Sequence, residues 1–290
     1  MQLFIFILVI FSLTLVIGLA FSIIFQASKF FNFTLAVIIT AAPYFTYLYF
    51  IQLQAPIFLA IPLAIISAVA VGLLAESALF NPLRKRNASS VALMLSSLGF
   101  YIVLQNAISM IWGDRVLSIR TAPVRAGHEF WGVVISNTQI VTIAVCFVVF
   151  IACVLFMKYS RIGRNIRAVA SNSELSNIVG ISSDRVILWA YGIGSVLVGI
   201  VGILIAYDTD MRPIMGFNWF LYGAVAMIIG GVGSIWGLAG GAFLLVSIQY
   251  LIAYFFGTMW MEPASYALLI LFLIIRPLGF SGKKLKKVEI

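Results

Sequence analysis

The chain has 290 residues, of which 63% are hydrophobic and only 9% are charged. Soluble domains carry about 25% charged residues, so this composition excludes a soluble globular protein and predicts a polytopic membrane protein. The net charge of +9 needs no nucleic-acid partner, because Lys and Arg collect in the cytoplasmic loops of membrane proteins.

Side chains that could bind a metal or act in catalysis are sparse. His128 is the single histidine, and Cys146 and Cys153 lie seven residues apart in one apolar segment. That spacing gives the two cysteines a shared helix face but leaves them too distant for a disulfide. No metal-ligand cluster and no nucleophile with its base can be assembled. We therefore predict no metal site, no catalytic residue and, for His128, a solvated loop position.

The first half of the chain contains four long apolar segments, at residues 3–25, 30–53, 56–75 and 91–112. Each is long enough to cross about 30 Å of hydrocarbon. No basic stretch precedes the first segment, which is therefore expected to be a membrane helix and not a cleaved signal peptide. Pro43 in the second segment predicts a kink or a break into two pieces. Gln105 and Asn106 in the fourth segment are expected either to join helices or to face a polar pathway.

Further apolar segments follow at residues 138–157, 186–206, 217–229, 242–256 and 263–275. Polar outer loops are expected at 113–137 and 207–218. The sequence GGVGSIWGLAGG, residues 230–241, has glycines at a spacing of four and others that favour unwound backbone. It predicts either non-helical backbone lining a cavity or a tight turn between closely packed helices.

The longest polar stretch occupies residues 158–185, between two apolar segments. It carries five cations and two acids. Ser171 lies three residues before Glu174, which is the spacing of a capping box, and Gly180 is placed to end a helix. The pattern predicts a helix from about residue 172 to 179 near the membrane surface. This helix either covers its own protein or docks a soluble partner.

The distribution of cations indicates the topology. Fourteen of the 18 Lys and Arg residues fall on the side of the 158–185 stretch, which predicts that this side is cytoplasmic. They are Lys29, Arg84, Lys85, Arg86, Lys158, Arg161, Arg164, Arg167, Arg185, Arg276, Lys283, Lys284, Lys286 and Lys287. The other four are Arg115, Arg120, Arg125 and Arg212. We predict an all-α membrane protein with about eight transmembrane helices, one or two of them broken or kinked, the N-terminus outside and the C-terminus cytoplasmic.

Several stretches together resemble the permease subunit of branched-chain amino-acid ABC importers. The family's loop pattern S-K/R-x-G-R-x-x-R-A, then an acidic short helix, then G-I-x-x-D-R-V is matched by SRIGRNIRAVA, SELSN and GISSDRV. Its glycine-rich element is matched by GGVGSIWGLAGG, and its C-terminal pattern by SYALLILFLIIRPLGF. Upstream, ESALFNPLRKRN and SSLGFYIVLQN are similar to two further family segments. The resemblance covers most of the chain.

One segment departs from the family pattern. The family's I-N-F-A-H-G-E is here FFNFTLAV, so Asn32 and Phe33 remain while Leu35, Ala36 and Val37 replace His, Gly and Glu. If this segment helps to define the substrate path, the chain moves a different small molecule from the usual cargo.

The resemblance implies a single permease domain over residues 1–290 with a coupling loop at 158–185. The helix around Glu174 then corresponds to the coupling helix, which sits in a cleft of a cytoplasmic ATPase. The chain has no G-x-x-x-x-G-K-S/T motif, so ATP and Mg would be bound by partner ATPase subunits. Other implied partners are a second homologous permease or a second copy, a periplasmic or lipid-anchored substrate-binding protein, and membrane lipid. The implied location is a bacterial or archaeal plasma membrane, the inner membrane in a Gram-negative cell.

Two sets of candidate site residues follow from the resemblance. The coupling-loop set is Arg161, Gly163, Arg164, Arg167, Ser171, Glu174, Gly180, Asp184 and Arg185. The translocation-path set is Asn32, Phe33, Gln105, Asn106, Gly230, Gly231, Gly233 and Ser234.

Three alternatives remain at this point. A permease of the same family could carry urea, short amides or another small polar solute. A secondary transporter or channel should have ionisable residues deep in its helices, whereas the predicted segments place the charges near their ends. An intramembrane hydrolase or lipid-modifying enzyme lacks a catalytic set.

Overall fold

The computed structural model describes residues 2–120, 127–130, 133–276 and 279–280. These residues are mainly helical, with one antiparallel hairpin in which His128 pairs with Ile135. The α-helices are α1 Gln2–Ser28, α2 Thr34–Tyr47, α3 Ile57–Leu74, α4 Asn81–Lys85, α5 Ser90–Trp112, α6 Asn137–Tyr159, α7 Arg161–Ser171, α8 Ser173–Ile178, α9 Ser183–Thr209, α10 Met215–Gly230, α11 Ile235–Phe256 and α12 Met261–Ile275. The strands are β1 His128–Phe130 and β2 Val133–Ile135. Two π-helical turns, Leu48–Gln52 and Ala75–Phe80, follow α2 and α3, and the 3₁₀ turn Thr258–Trp260 precedes α12.

Eight helical stretches within the described residues are long and apolar enough to cross a membrane, which confirms the predicted all-α polytopic fold. They are Gln2–Ser28, Thr34–Gln52, Ile57–Lys85, Ser90–Trp112, Asn137–Tyr159, Ser183–Thr209, Ile235–Phe256 and Thr258–Ile275. The apolar helix α10 is shorter, with 16 residues. A helix of this length extends over about 24 Å.

Contacts between segments define two opposite faces of the bundle. At the face that we call inner, Lys29 binds the carbonyl of Ala170 and the Phe280 N–H donates to the Ile229 carbonyl at 2.9 Å. At the outer face, Gln2 binds Val134, Leu117 pairs with Met211, and Arg120 binds Asp210. Five of the cations that the sequence assigned to the two faces lie outside the described residues. They are Arg125, Lys283, Lys284, Lys286 and Lys287.

Helix α10 leads from one face to the other in addition to the eight long spans. Eight crossings would return both ends of the described chain to one face. Because α10 leads from the outer Asp210 turn to the inner Ile229 carbonyl, it adds a ninth pass, and Gln2 and Phe280 lie at opposite faces. Its apolar run is shorter than a typical membrane helix, so it stands apart from the eight long spans of the described residues.

Helices α1, α2, α9 and α10 form the centre of the bundle, and the other membrane helices pack around them. Pro43 lies inside α2 and has no N–H to donate to the carbonyl of Ile39. Gly202 of α9 packs against that same carbonyl, so closely that a Cβ atom would collide with it. The proline and the glycine therefore bring α2 and α9 into backbone contact.

Two helix boundaries differ from the sequence prediction. The third segment does not end near Glu76 but continues through a π-helical turn into α4, which ends at Lys85. Pro82 is accepted there because the first turn of a helix needs no N–H donor at that position. The predicted outer loop at 113–137 contains the β1–β2 hairpin.

Cys146 and Cys153 are both buried on α6 and free.

Candidate functional site

The predicted coupling stretch folds into two helices, α7 and α8. Helix α7 was not predicted, although its sequence is strongly amphipathic. Ile166, Val169 and Ala170 are buried on one side of α7. The Ser160 side chain caps the helix by accepting a hydrogen bond from the Gly163 N–H at 2.9 Å.

Helix α7 is held on the end of α6 by three of the predicted coupling residues. Arg164 donates to the Tyr159 carbonyl at 3.0 Å, and Arg167 donates to the carbonyls of Met157 and Lys158. Carbonyls in the last turn of a helix lack partners within the helix and carry partial negative charge, so arginine stabilises them. At Gly163 a Cβ atom would meet the Met157 backbone. Gly163, Arg164 and Arg167 thus position α7.

Lys29 links the same helix to the centre of the bundle. Its backbone has a φ of +61°, and its ammonium group donates to the Ala170 carbonyl at the end of α7. Burial lowers the pKa of the Lys29 ammonium. The turn between α1 and α2 is therefore fixed to α7.

The ends of α8 correct the predicted cap by one residue. Ser171 is the last residue of α7, and Asn172 caps α8 by accepting a hydrogen bond from the Leu175 N–H at 3.0 Å. Gly180 follows the helix with a φ of +87°, as predicted for a terminating glycine. The capping-box spacing was misleading because Ser and Asn are adjacent here and both are favourable caps.

Helix α8 presents apolar side chains outside the membrane-length helices. Leu175, Ile178 and Val179 are 57%, 80% and 66% exposed, and Glu174 beside them is also exposed. The sequence predicted a surface helix here without identifying these three side chains, although the spacing of 175, 178 and 179 is that of one helix face. We call Leu175, Ile178 and Val179 the α8 apolar patch.

Both ends of α8 are bonded to the start of α9. The Ser183 hydroxyl donates to the Ser173 carbonyl at 3.1 Å, and the Ser183 N–H donates to Asn177 Oδ1 at 2.9 Å. The predicted residues Asp184 and Arg185 lie exposed in the first turn of α9, and Arg161 is exposed in the first turn of α7. A movement of α8 would thus be transmitted to α9, a 27-residue helix at the centre of the bundle.

The predicted path residues lie in three separate places. At the start of α2, Asn32 is buried, donates to the Tyr191 hydroxyl and accepts from the Thr34 N–H at 2.8 Å. The Phe33 N–H donates to the Ser97 hydroxyl at 3.1 Å, which ties this segment to α5. The Phe33 ring packs against Phe31, Phe217, and Phe220.

Gln105 and Asn106 lie farther out on α5, where little of the helix is covered. Asn106 is exposed and donates to the Ile102 carbonyl of its own helix at 2.7 Å. Gln105 is half-buried. Within the described residues, the two amides are therefore not joined to Asn32 and Phe33.

The glycine element forms a tight turn at the inner face, one of its two predicted forms. Non-helical backbone is confined to Gly231–Ser234, with φ of +92° at Gly231 and +87° at Gly233. Ser234 caps α11 by accepting from the Gly237 N–H at 3.0 Å. At Gly230 a Cβ atom would collide with the Gly237 backbone, so the glycines allow α10 and α11 to pack closely.

The three positions that depart from the family pattern are core residues. Leu35, Ala36 and Val37 are at most 1% exposed. At Gly216 of α10 a Cβ atom would meet the Ala36 carbonyl, so α2 and α10 are in close contact here. The apolar character of Leu35, Ala36 and Val37 fits this close packing of α2 on α10.

Sequence reasoning also missed a buried ion pair. Glu76 is 1% exposed within the π-helical turn and is paired with Arg84. The next aromatic residue, Phe80, packs on Tyr191 with ring centroids 5.9 Å apart. The pair therefore lies beside the Asn32–Tyr191 contact.

The comparisons with known proteins agree with this architecture. The family model described as the permease component of the branched-chain amino acid transport system matches residues 3–276. The high-affinity branched-chain amino acid transport system permease protein LivH of Escherichia coli K12 is 32% identical over 76% of this chain and 72% of its own length. BraD of Pseudomonas aeruginosa, named as a permease of the same kind, is 31% identical over 77% of this chain and 76% of its own.

A more distant relative and a solved structure extend the comparison. The probable branched-chain amino acid transport permease LivH of Methanocaldococcus jannaschii is 27% identical over 80% of this chain and 76% of its own. PsaBC of Streptococcus pneumoniae, solved in complex with Fab, has a similar fold, with a TM-score of 0.53 and 12% identity over 93% of this chain and 90% of that one. By the extent of the family match and the identity to LivH, the chain belongs to the family of branched-chain amino acid transport permeases.

Proposed function

We propose that the chain is the membrane-spanning translocation subunit of an ABC importer for branched-chain or related amino acids. Its relatives LivH and BraD are named as high-affinity branched-chain amino acid permeases, which supports the class of cargo. ATP and Mg would be bound by separate ATPase subunits, since these 290 residues contain no phosphate-binding loop motif.

The α8 apolar patch carries the proposal. Exposed apolar side chains clustered outside the membrane commonly mark a protein interface. Glu174 beside the patch offers a charge to a basic partner. In this proposal the three side chains enter a cleft on the ATPase, and α7 behind them is held on α6 by Arg164 and Arg167.

The bonds around α8 support a route for coupling. When the ATPases close on ATP, the force on α8 would reach α9 through Ser183 and reach the α1–α2 turn through Lys29. Helix α9 packs on α1, α2 and α3, so its displacement would rearrange the centre of the bundle. The bundle would alternate between outward-open and inward-open arrangements.

Two further partners belong to the proposal. A second permease, homologous or identical, would cover the exposed face of α5, where amides at membrane depth need polar neighbours. An external substrate-binding protein would dock on the outer face near the turns at 113–120 and 210–214. The importer would lie in a bacterial or archaeal plasma membrane.

The test is copurification of the permease with its ATPase subunits. We expect Leu175→Ser with Ile178→Ser to weaken the association at least tenfold, because buried interface side chains commonly contribute about 2 kcal/mol each. ATP-driven uptake in proteoliposomes should fall in parallel. Glu174→Lys alone should weaken association less. Arg167 is unsuitable for this test, because it caps α6.

A control is Ile214→Ser, which removes an isoleucine of the outer face that is 60% exposed, close to the 57% of Leu175. This variant should copurify with the ATPases as the unchanged protein does. Undiminished association of the α8 variant would contradict the docking role, and uphill uptake without any ATPase would instead support a secondary transporter. Transport of urea or short amides in preference to amino acids would assign the other cargo of the same family.

A further inference from the structure

A groove at the inner face runs between α6 and α11, which both pack against α1. Its volume is about 560 Å³. Leu19 and Ile23 of α1 lie at its base, and Val154 and Leu238 line its sides. The part of the groove that lies along the helices is therefore apolar. Such a surface suits a hydrocarbon chain.

The inner end of the groove is polar and basic. Its polar lining consists of Ser22, Gln26, Lys158, Arg167 and Ser234. Among the described lining residues there is no carboxylate. Two cations with nearby hydroxyl and amide donors match a phosphate group.

Two side chains at this end, Arg167 and Gln26, are already positioned, while the exposed Lys158 has its ammonium over the Tyr159 ring. Arg167 is fixed by its bonds to the Met157 and Lys158 carbonyls, and a guanidinium has five N–H donors, so some remain for a ligand. Gln26 is held by a 2.9 Å bond to Ser22. Holding donors in place before binding lowers the entropy cost of capturing an anion.

Trp236 indicates the depth of the groove in the bilayer. It lines the groove, is 88% exposed, and is the second residue of α11 after the Gly231–Ser234 turn. Exposed tryptophans of membrane proteins collect at the level of the lipid headgroups. The basic end therefore lies at headgroup level and the apolar part at the level of the acyl chains.

We propose that this groove binds a phospholipid with an anionic headgroup, its phosphate between Lys158 and Arg167 and one acyl chain along α1. Basic pockets between membrane helices on the cytoplasmic side take acidic lipids in this manner. The glycine turn, which was assigned by sequence to the translocation path, would form one edge of the lipid site. Because Arg167 also holds α7, the lipid would contact the base of the coupling segment.

The experiment uses the full permease in its purified complex, exchanged into nanodiscs that contain equal amounts of phosphatidylglycerol and phosphatidylcholine. Native mass spectrometry after detergent release measures the lipid retained. We expect preferential retention of phosphatidylglycerol, reduced about fivefold by Lys158→Gln, since one surface cation contributes about 1 kcal/mol toward an acidic lipid. Val154→Trp, which fills the groove, should lower retention of both lipids.

Lys85→Gln is the matched control, because Lys85 is an exposed lysine of the inner face that does not line the groove. Equal loss of lipid in this control, or no preference for phosphatidylglycerol, would overturn the proposal. Full competition by glycerol 3-phosphate would show that an anion alone suffices and would overturn the lipid assignment. Crosslinking of Trp236→Cys to another permease in membranes would place protein in the groove and would also overturn the proposal. If Val154→Trp does not fold, Lys158→Gln still decides.

Discussion

The central and peripheral membrane helices of this protein are similarly apolar but differ sharply in burial. In an apolar 18-residue stretch of the spans of α2 and α9, 67% of the residues are buried. The corresponding shares are 17% in α6 and 6% in the span of α12. Hydropathy therefore identifies which segments cross the membrane but not which lie at the centre. Lipid chains are as apolar as leucine, so apolar surface alone does not draw one membrane helix to another.

Small residues and polar bonds mark the central helices. A Cβ atom at Gly202 of α9 would collide with the Ile39 carbonyl, while at Gly99 of α5 it would meet nothing within 4 Å. Likewise Tyr191 is fully buried and bonded to Asn32, whereas Tyr254 of α11 is 71% exposed. Matched substitutions at such pairs test whether central packing, not hydropathy, holds the bundle together.

The largest difference is expected between Gly202→Leu and Gly99→Leu. A leucine at 202 cannot fit against the α2 backbone, so we expect a loss of about 4 kcal/mol or more and little folded protein. A leucine at 99 projects into open space in the single permease chain and has the better helix propensity, so its effect on the stability of that chain, measured without a second permease, should be neutral or slightly stabilising. Fluorescence-detected size exclusion after heating measures the folded fraction. Equal yields for both variants would contradict the central packing of α9 on α2.

A smaller difference is expected between two arginines of the same inner segment. Arg84→Gln leaves Glu76 buried without its partner and should cost about 3 kcal/mol, while Arg86→Gln at an exposed position should cost less than about 0.5 kcal/mol. The apparent melting temperature in detergent measures the loss of stability in both variants. Adding Glu76→Gln to Arg84→Gln should restore much of the loss, because the unpaired charge is then removed. No restoration would show that Arg84 acts by packing and not by charge.

The membrane fold was largely predictable from sequence because long apolar segments and clustered cations both carry strong signals. Residues 91–112, for example, correspond to α5 within one residue. The errors lie where length or local pattern is weak. Helix α10 has 16 residues and was treated as a short run, and Glu76 was placed near a helix end because a π-helical continuation has no simple sequence signature.

The stretch 158–185 folds between α6 and α9 as a separate segment, but its internal geometry was not predicted. Sequence could not show that Arg164 and Arg167 cap α6, because the carbonyls they bind become available only when α6 ends at Tyr159 and α7 folds back. Nor could it show that the predicted path residues lie apart. Asn32 and the 231–234 turn are separated by the packing of helices that are distant in sequence, which periodicity does not encode.

The next difference concerns the buried hydroxyl of Tyr191. Tyr191→Phe removes the acceptor of the Asn32 amide and leaves a buried donor unpaired, so we expect a cost of about 1–3 kcal/mol. Tyr254→Phe, at an exposed position of α11, should cost close to nothing. Thermal unfolding in the same detergent, without added denaturant, measures the stability of both variants. A neutral Tyr191→Phe would indicate that Asn32 is satisfied by another group.

The smallest effect is expected at the outer turn, where Arg120 binds Asp210 at 2.8 Å and both side chains remain partly exposed. Hydrogen bonds from Ser118 and Arg120 hold the pKa of the Asp210 carboxyl below its ordinary value of 3.8. A group with a lowered folded pKa contributes stability that is fully present above 3.8 and is lost as the pH falls through the folded pKa. For an exposed pair the contribution is below about 1 kcal/mol, or at most about fivefold in local opening.

Amide exchange at Leu117 and Met211, which pair across this turn, measures the effect. We expect both amides to exchange up to about fivefold more slowly than in Asp210→Asn at pH 6, with the ratio approaching one as the pH falls below about 3. Measuring the variant at the same pH removes the intrinsic dependence of exchange on acidity. A ratio that rises on acidification would mean that the protonated form of Asp210 is the better partner. A ratio of one at pH 6 would mean that the turn is held by backbone pairing and not by the ion pair.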